Sequence, residues 1–463
     1  MILSLTVLPA QEFRATLSGR ITDPSGAVVS GARMEVKSVA TGAVSNTQSG
    51  EDGGYQVSFL IPGEYVVTVE KEGFRRTVRE GIRVGVAERA ALDIGLAVGE
   101  ISQSVTVAAE TSLVQTETAD RGLTIESKRV ANTPLQGRNI FAQAWSAPGI
   151  TVTASVTRLR PFDIAGSSSM AISGGRPSAN EVLIDGTSNL SRAGQVAFVP
   201  SVEATAEFRV QTTSFDAQYG GTTGGVVNIT TKSGTNEWHG SLFEFLQNTH
   251  LNANTFNANR TGTARQSSHI NTFGGDIGGP VVKNKLFFIF SYENIRQVIP
   301  DPFVTSVPSA LQKQGDFSQT LFAAGQVQTI YDPFTTREGP GGTLVRDAFT
   351  GNRIPAGRLN AIARNVFALI PAGNVAGNPV TGLNNLVSTG STRKFTDFFP
   401  EYTGRADYVL SESTRMFVRY SRNALAEERG FRYSTTSAVN LAETSGNTPM
   451  WWSTGTPAPP HRR

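Results

Sequence analysis

The first hundred residues alternate short apolar-patterned runs with turn signals. Residues 55–59, for example, carry apolar side chains at every second position, which is typical of a half-buried β-strand. Asp23-Pro24-Ser25-Gly26 and Asp52-Gly53-Gly54 have the composition of tight turns. About seven such strands with regular turns predict a β-sandwich over residues 11–98.

The next segment, residues 120–235, mixes two kinds of pattern. The stretches 127–133 and 137–144 predict short helices. An apolar run that starts after Asn180 ends in Asp185-Gly186, a turn signal after a buried strand. The mixture predicts an α+β domain.

After Asn236 the strands are longer and alternate strictly. In residues 402–409 one face carries Tyr402, Gly404, Ala406 and Tyr408, and the other carries Thr403, Arg405 and Asp407. Arg415 and Arg419 continue the polar face in the next strand. In a transmembrane β-barrel these four charged side chains would face a wet lumen and stay solvated. An ordinary half-buried antiparallel strand has the same alternation, so periodicity alone leaves both structures open.

The lengths of the connections favour the barrel. Short connections lie near 277–286 and 411–413, and long ones lie at 248–268 and 297–401. Outer-membrane barrels alternate short periplasmic turns with long extracellular loops in this way. The last of these connections also contains a predicted helix, residues 358–369. Residues 236–463 are therefore predicted to start a transmembrane β-barrel.

Composition excludes several kinds of chemistry. The net charge is only +3 and the basic residues are scattered, which argues against nucleic acid as a partner. The chain has no cysteine, and its four histidines lack the spacing of a zinc peptidase. Asp185 and Asp216 are interpreted as turn residues. We therefore expect no catalytic residue, no metal site and no cofactor, and hence no enzyme.

Residues 1–10 form an apolar run that is followed by polar residues. They resemble the end of a secretory signal without its basic start, and a short buried strand is the alternative. No stretch reaches the roughly 18 apolar residues of a transmembrane helix.

The predicted sandwich resembles the carboxypeptidase regulatory-like domain. The matching motifs are Gly19-Arg20-Ile21-Thr22-Asp23 with Gly26, Gly31-Ala32, Asp52-Gly53 before Tyr55, Pro62-Gly63-Glu64-Tyr65 and Gly73-Phe74. The resemblance implies a transthyretin-like sandwich, which is grouped with carbohydrate-binding-like folds. It also implies an accessory module without catalytic residues.

Residues 120–235 resemble the plug domain of TonB-dependent outer-membrane receptors. The motifs, in order, are Gly175-Arg176-Pro177, Leu183-Ile184-Asp185-Gly186, Tyr219-Gly220 and Gly224-Gly225-Val226-Val227-Asn228. Lys232-Ser233-Gly234-Thr235-Asn236 followed by His239-Gly240 resembles the Oar-like branch of these receptors.

This resemblance implies a receptor in the outer membrane with its N-terminal domain in the periplasm. The linker 99–119 would hold a TonB box at Ser104, Val105, Thr106, Val107 and Ala108, which pairs as an added strand with a TonB-type energy-coupling protein. The alternative is that this run is the last strand of the sandwich. Outer-membrane lipid would surround the barrel, and the ligand could be a glycan, a peptide or a siderophore.

The barrel is expected to be incomplete. Receptors of this class have about 22 strands, whereas residues 236–463 hold about five predicted strands. An open sheet would leave unpaired backbone groups in lipid, so we expect the chain to be a fragment. An adhesion or carbohydrate-binding protein without transport remains an alternative function, and a soluble enzyme with a regulatory sandwich is a third.

Overall fold

The computed structural model describes residues 12–100, 104–108, 121–153, 160–254, 256–260, 262, 265, 267–300, 303–388, 394–412 and 414–429. The predicted signal segment, residues 1–10, lies outside the described residues. The described residues form mainly β-structure in three successive parts, which confirms the predicted fold class.

The N-terminal part is a two-sheet sandwich. Its strands are β1 (Ala15–Thr22), β2 (Arg33–Ser38), β3 (Val44–Gln48), β4 (Gly54–Leu60), β5 (Gly63–Glu70), β6 (Arg76–Val84), β7 (Arg89–Ala91), β8 (Ile94–Gly95) and β9 (Ser104–Ala108). One sheet has the order β4-β1-β7, with β8 also paired to β1, and the other has the order β3-β2-β5-β6-β9. Alternating side chains such as Leu17, Met34 and Val67 are completely buried between the sheets, each contributing about 1.5–3 kcal/mol.

Strand β9 is the run predicted as the TonB box. It pairs in parallel with β6, from Arg76 opposite Ser104 to Glu80 opposite Ala108. The structure thus matches the alternative interpretation, in which this run is the last strand of the sandwich. Among the described residues, β9 pairs only with β6, so β9 is an edge strand of this sheet.

The middle domain is an α+β unit. Its elements are β10 (Arg121–Glu126), α1 (Ser127–Asn132), α2 (Phe141–Ala144), β11 (Ile150–Val152), α3 (Ile164–Ser167), β12 (Met170–Ile172), β13 (Glu181–Ile184), β14 (Thr187–Ser188), β15 (Thr205–Thr213) and β16 (Val226–Thr231). The main sheet has the order β10-β15-β16-β13-β14. A second apolar core, with Phe141, Phe208 and Val227 fully buried, packs the helices against this sheet.

The third part is an antiparallel sheet of long strands, which we call the strand wall. In chain order, it and its connections contain β17 (His239–Asn248), α4 (Phe256–Arg260), β18 (His269–Val282), β19 (Leu286–Pro300), β20 (Phe303–Thr305), α5 (Ala310–Lys313), β21 (Arg337–Glu338), β22 (Leu344–Val345), α6 (Ala361–Leu369), β23 (Leu386–Ser388), β24 (Lys394–Val409), β25 (Arg415–Asn423) and β26 (Ala426–Arg429). The wall has the order β17-β18-β19-β24-β25, and β26 pairs with the start of β24. Strands β18, β19 and β24 are longer than the 9–11 residues that a tilted strand needs to cross a bilayer.

The sandwich contacts both other parts. Its β2–β3 turn meets the turns of the strand wall, where the backbone N–H of Asn236 donates to the Ala40 carbonyl at 2.9 Å. The turn after β6 meets strand β15 of the middle domain, where Val86 donates to Glu207. Among the helices that the structure describes, none is long and apolar enough to cross a membrane.

Candidate functional site

In strands β24 and β25 of the strand wall, the outward face is largely apolar and the inward face is largely polar. Tyr402 and Tyr408 are exposed on the outward face of β24, and Met416, Val418 and Tyr420 are exposed on the outward face of β25. The opposite side chains of the same strands lie against the middle domain. The polar contacts between that inward face and the middle domain form the candidate site.

Asp185 of the middle domain lies at the centre of these contacts. Asp185 and Gly186 connect the paired strands β13 and β14, and both have positive φ (48° and 76°), as a two-residue type I′ hairpin turn requires. The turn points the carboxylate at β16, where it accepts hydrogen bonds from the Thr231 backbone N–H at 2.9 Å and from the Thr231 hydroxyl at 2.7 Å. The local turn thereby fixes the orientation of a buried charge.

Two arginines of the strand wall complete the Asp185 cluster. Arg405 of β24 lies 3.2 Å from one carboxylate oxygen of Asp185, and Arg419 of β25 lies 2.9 Å from the other. Arg405 also forms an ion pair with Asp407 at 2.7 Å. The two guanidinium groups and the two carboxylates balance in charge, as a buried cluster needs.

The expected solvation of these charges is wrong. Asp185, Arg405, Arg419 and Asp407 are 3%, 3%, 6% and 8% exposed. Arg405, Asp407 and Arg419 lie on the inward face of their strands, where the middle domain, including Asp185, covers them. Arg415 differs from the other three wall residues, because it donates hydrogen bonds to the Val44 carbonyl at 3.0 Å and to the Ser45 hydroxyl at 2.8 Å of the sandwich.

A second polar cluster joins the middle domain to β19. Arg138 forms ion pairs with Glu203 at 2.5 Å and with Glu293 of β19 at 2.9 Å. Its guanidinium also stacks on the rings of Phe243 and Phe245 of β17, at 4.5 and 4.4 Å from the ring centroids. This arginine therefore bridges the domain to two strands of the wall.

Two further contacts follow along the same inward face. Glu401 of β24 accepts a hydrogen bond from the Ser201 backbone N–H at 2.7 Å. Arg160 of the middle domain lies 3.5 Å from the buried carboxylate of Asp397. Sequence reasoning missed Arg138, Glu401 and Asp397, because it assigned residues 297–401 to a connection. In the structure β24 begins at Lys394, so its period-two alternation puts Glu401 and Asp397 on the face of Arg405.

The predicted glycine motifs have packing roles in the middle domain. A Cβ on Gly175 would lie 3.0 Å from the Gly224 Cα, so the two motifs meet backbone to backbone. A Cβ on Gly225 would lie 2.4 Å from Ile172 Cγ2, whereas one on Gly220 would meet nothing within 4 Å. The remaining motif residues also take structural positions: Arg176 precedes a 3₁₀ turn that starts at Pro177, and Tyr219 is buried.

Comparisons with known proteins agree with this architecture. Residues 230–454 match the family described as outer membrane beta barrel domain, and residues 16–97 match the carboxypeptidase regulatory-like domain. The chain thus contains an outer-membrane β-barrel domain and an N-terminal carboxypeptidase regulatory-like domain, it is located in the outer membrane, and it is a homologue of TonB-dependent transporters. The family resemblance and the outer-membrane location predicted from the sequence are thereby confirmed.

The sequence relative is the TonB-dependent transporter Oar of Myxococcus xanthus. It is 24% identical over 293 residues, which cover 60% of this chain and 26% of the relative. The chain thus spans about a quarter of the length of the curated relative that it matches.

Similar solved structures include the outer membrane transporter YddB from Escherichia coli, with a TM-score of 0.38 and 10% identity over 68% of this chain and 34% of that chain. A likeness to hydroxyquinol 1,2-dioxygenase from Pseudomonas putida DLL-E4 covers only 20% of this chain and 59% of that chain, with 11% identity and a TM-score of 0.17. The matched relative is a transporter, which confirms the expectation that the chain is not an enzyme.

Proposed function

We propose that the protein takes up a solute across the outer membrane by a TonB-dependent mechanism, with residues 120–235 as the plug. The observation that carries the proposal is the Asp185 cluster, which attaches the middle domain to the inward face of the strand wall through buried ion pairs. In this proposal the lumen is closed at rest by the plug and the ion pairs hold it there.

The polar character of the contact suits a plug that has to move. Replacing buried ion pairs by apolar contacts is often neutral or stabilising, so ion pairs are not the choice that maximises stability. The groups of the Asp185 cluster can be hydrated as soon as water enters the interface, whereas an apolar interface would resist separation. The charge balance of the cluster leaves no net buried charge while the plug is docked.

We infer the orientation of the protein in the membrane from which ends of the wall strands contact the sandwich. The sandwich contacts Asn236, just before β17, and Arg415, where β24 joins β25. Asn236 in turn donates a hydrogen bond to Asn284 of the β18–β19 turn at 2.8 Å, so both contacts lie at the same end of the wall. The long connection between β19 and β24 lies at the opposite ends of these strands. We place the sandwich in the periplasm and the long connection outside the cell, where a glycan, peptide or siderophore would first be met.

We further propose Ser104–Ala108 as the TonB box. In this proposal the run is stored on β6, and its second edge, which pairs with no strand among the described residues, offers backbone groups to a strand of the TonB-type protein. The exposed Thr106 lies on this strand. Successive backbone N–H groups of a strand point to opposite edges, so one of Val105 and Thr106 donates toward β6 and the other toward the open edge.

Capture of the full chain on immobilised TonB periplasmic domain tests the box. Proline removes the backbone donor, so we expect capture to fall at least tenfold in Val105→Pro or in Thr106→Pro, whichever residue faces the open edge. Thr106→Ser keeps the donor and serves as the matched control. Capture equal to that of the unsubstituted chain in both proline variants would contradict strand addition at this site.

A further inference from the structure

The turn that follows β6 docks the sandwich on the middle domain. The backbone N–H of Val86 donates to Glu207 of β15 at 2.5 Å. In return, Arg209 of β15 donates to the carbonyls of Val86 at 3.1 Å and Ala87 at 3.2 Å. Val86, Glu207 and Arg209 are all buried, so water is excluded from this contact.

Two carboxylates meet at this turn. Glu88 accepts a hydrogen bond from the Gly85 N–H at 2.5 Å, and Glu207 accepts one from the next N–H, that of Val86, at the same distance. A Cβ built on Gly85 would lie 3.0 Å from a Glu88 oxygen and 3.3 Å from a Glu207 oxygen, so both carboxylates lie beside Gly85. A half-buried carboxylate next to a buried one favours protonation of the buried one.

The charged groups around Glu207 come from every element that packs there. Arg83 is on β6, Glu88 is in the turn, Glu126 is on β10 and Arg209 is on β15. Burial raises the pKa of Glu207 to about 7, the Val86 hydrogen bond and Arg83 oppose this rise, and Glu88 and Glu126 add to it. In the docked state the Glu207 carboxyl group is therefore protonated at pH values below neutrality.

We propose that the contact between the turn 85–88 and Glu207 is a pH-sensitive clasp, which docks the sandwich on the middle domain when Glu207 takes up a proton from solvent. When that proton leaves, the buried carboxylate faces Glu88 and Glu126, and the sandwich is released as a folded unit. The proposal does not depend on transport or on the TonB box.

Hydrogen exchange of the full chain in detergent micelles tests the clasp. The readout is the protection factor of the turn 85–88, which is the intrinsic exchange rate divided by the observed exchange rate at the same pH. Since the pKa of Glu207 is about 7 in place of 4.5, we expect the protection to fall on the order of a hundredfold between pH 4.5 and pH 8. Strand β5, inside the sandwich, should keep its protection at both pH values.

Two variants separate the clasp from a merely structural contact. Glu207→Gln cannot ionise and its side-chain oxygen can still accept from Val86, so its protection should change less than threefold over the same range. Glu88→Gln removes one repulsive carboxylate and so destabilises ionised Glu207 less, and its loss of protection should therefore be smaller than in the unsubstituted chain and should level off at a lower pH. A pH-independent turn in the unsubstituted chain, or an undiminished pH dependence in Glu207→Gln, would overturn the proposal.

Discussion

At Asp185 the local sequence motif predicted the backbone turn but not the ion pairs of the side chain. The Asp-Gly pair predicted a turn after a buried strand, and the structure has that turn. The ion pairs of Asp185 were not predictable, because Arg405 lies 220 residues away in the chain. Alternation placed Arg405 on the inward face, but it carries no information on which side chain of the middle domain lies opposite.

Asp185→Asn should lower the free energy of unfolding by about 3–5 kcal/mol, the usual cost of removing one partner from a buried ion pair. The amide keeps the shape of the side chain, but Arg419 and Arg405 lose their shared carboxylate. Guanidinium unfolding of the chain in detergent micelles, followed by tryptophan fluorescence, measures the difference.

Asp216→Asn is the matched control for this substitution. Asp216 pairs with Arg89 at 2.7 Å, but both side chains are exposed, by 39% and 54%. Such a surface pair contributes about 0–1 kcal/mol. Equal losses in the two variants would show that the Asp185 cluster does not hold the middle domain to the wall.

At the scale of secondary-structure elements, sequence patterns predicted well whether a segment is a helix or a strand, but they predicted poorly which strands pair. The predicted helices 127–133 and 358–369 correspond to α1 (Ser127–Asn132) and α6 (Ala361–Leu369). The strand predicted at 402–409 begins earlier, at Lys394. That residues 104–108 are the last strand of the sandwich was one of two alternatives, and the parallel pairing of β9 with β6 was not predicted, because strand periodicity specifies faces and not partners.

The face of β25 gives a prediction at this scale. Val418 is in the middle of the strand and 58% exposed on the outward side, which faces lipid in an outer-membrane barrel. An arginine on the lipid face costs about 2–4 kcal/mol at the bilayer midplane. We therefore expect Val418→Arg to lower the free energy of unfolding in phospholipid vesicles by an amount in this range.

Val418→Ile is the matched control, since it keeps the apolar surface and should change the stability by less than about 0.5 kcal/mol. If Val418 instead faced a water-filled channel, the two variants would have similar free energies of unfolding. A Val418→Arg chain that is as stable in vesicles as the Val418→Ile chain would therefore reverse the assignment of faces in β25.

At the scale of the whole molecule, the sandwich, the middle domain and the strand wall contact one another and are not independent units. The sandwich lies on both the middle domain and the turns of the wall, through Glu207, Arg209 and Arg415. The sequence pattern placed Arg415 on the polar face of its strand and assigned no contact to Glu207 or Arg209. Glu207 and Arg209 are buried where the sandwich meets the middle domain, and no local pattern encodes that packing.

The burial of Glu207 makes the stability of the assembled chain depend on pH. Its pKa rises from 4.5 to about 7 on burial, so the folded chain binds this proton more tightly than the unfolded chain does. The resulting stabilisation is complete below about pH 4.5 and is lost as the pH rises to about 7, a total of about 3 kcal/mol.

Unfolding by guanidinium at several pH values, compared between the unsubstituted chain and Glu207→Gln, isolates this contribution from that of the other titrating groups. The stability of the unsubstituted chain relative to Glu207→Gln should fall between pH 4.5 and pH 7 and stay constant above that. A difference that stays constant throughout, or that changes in the opposite direction, would mean that Glu207 is ionised in the docked state.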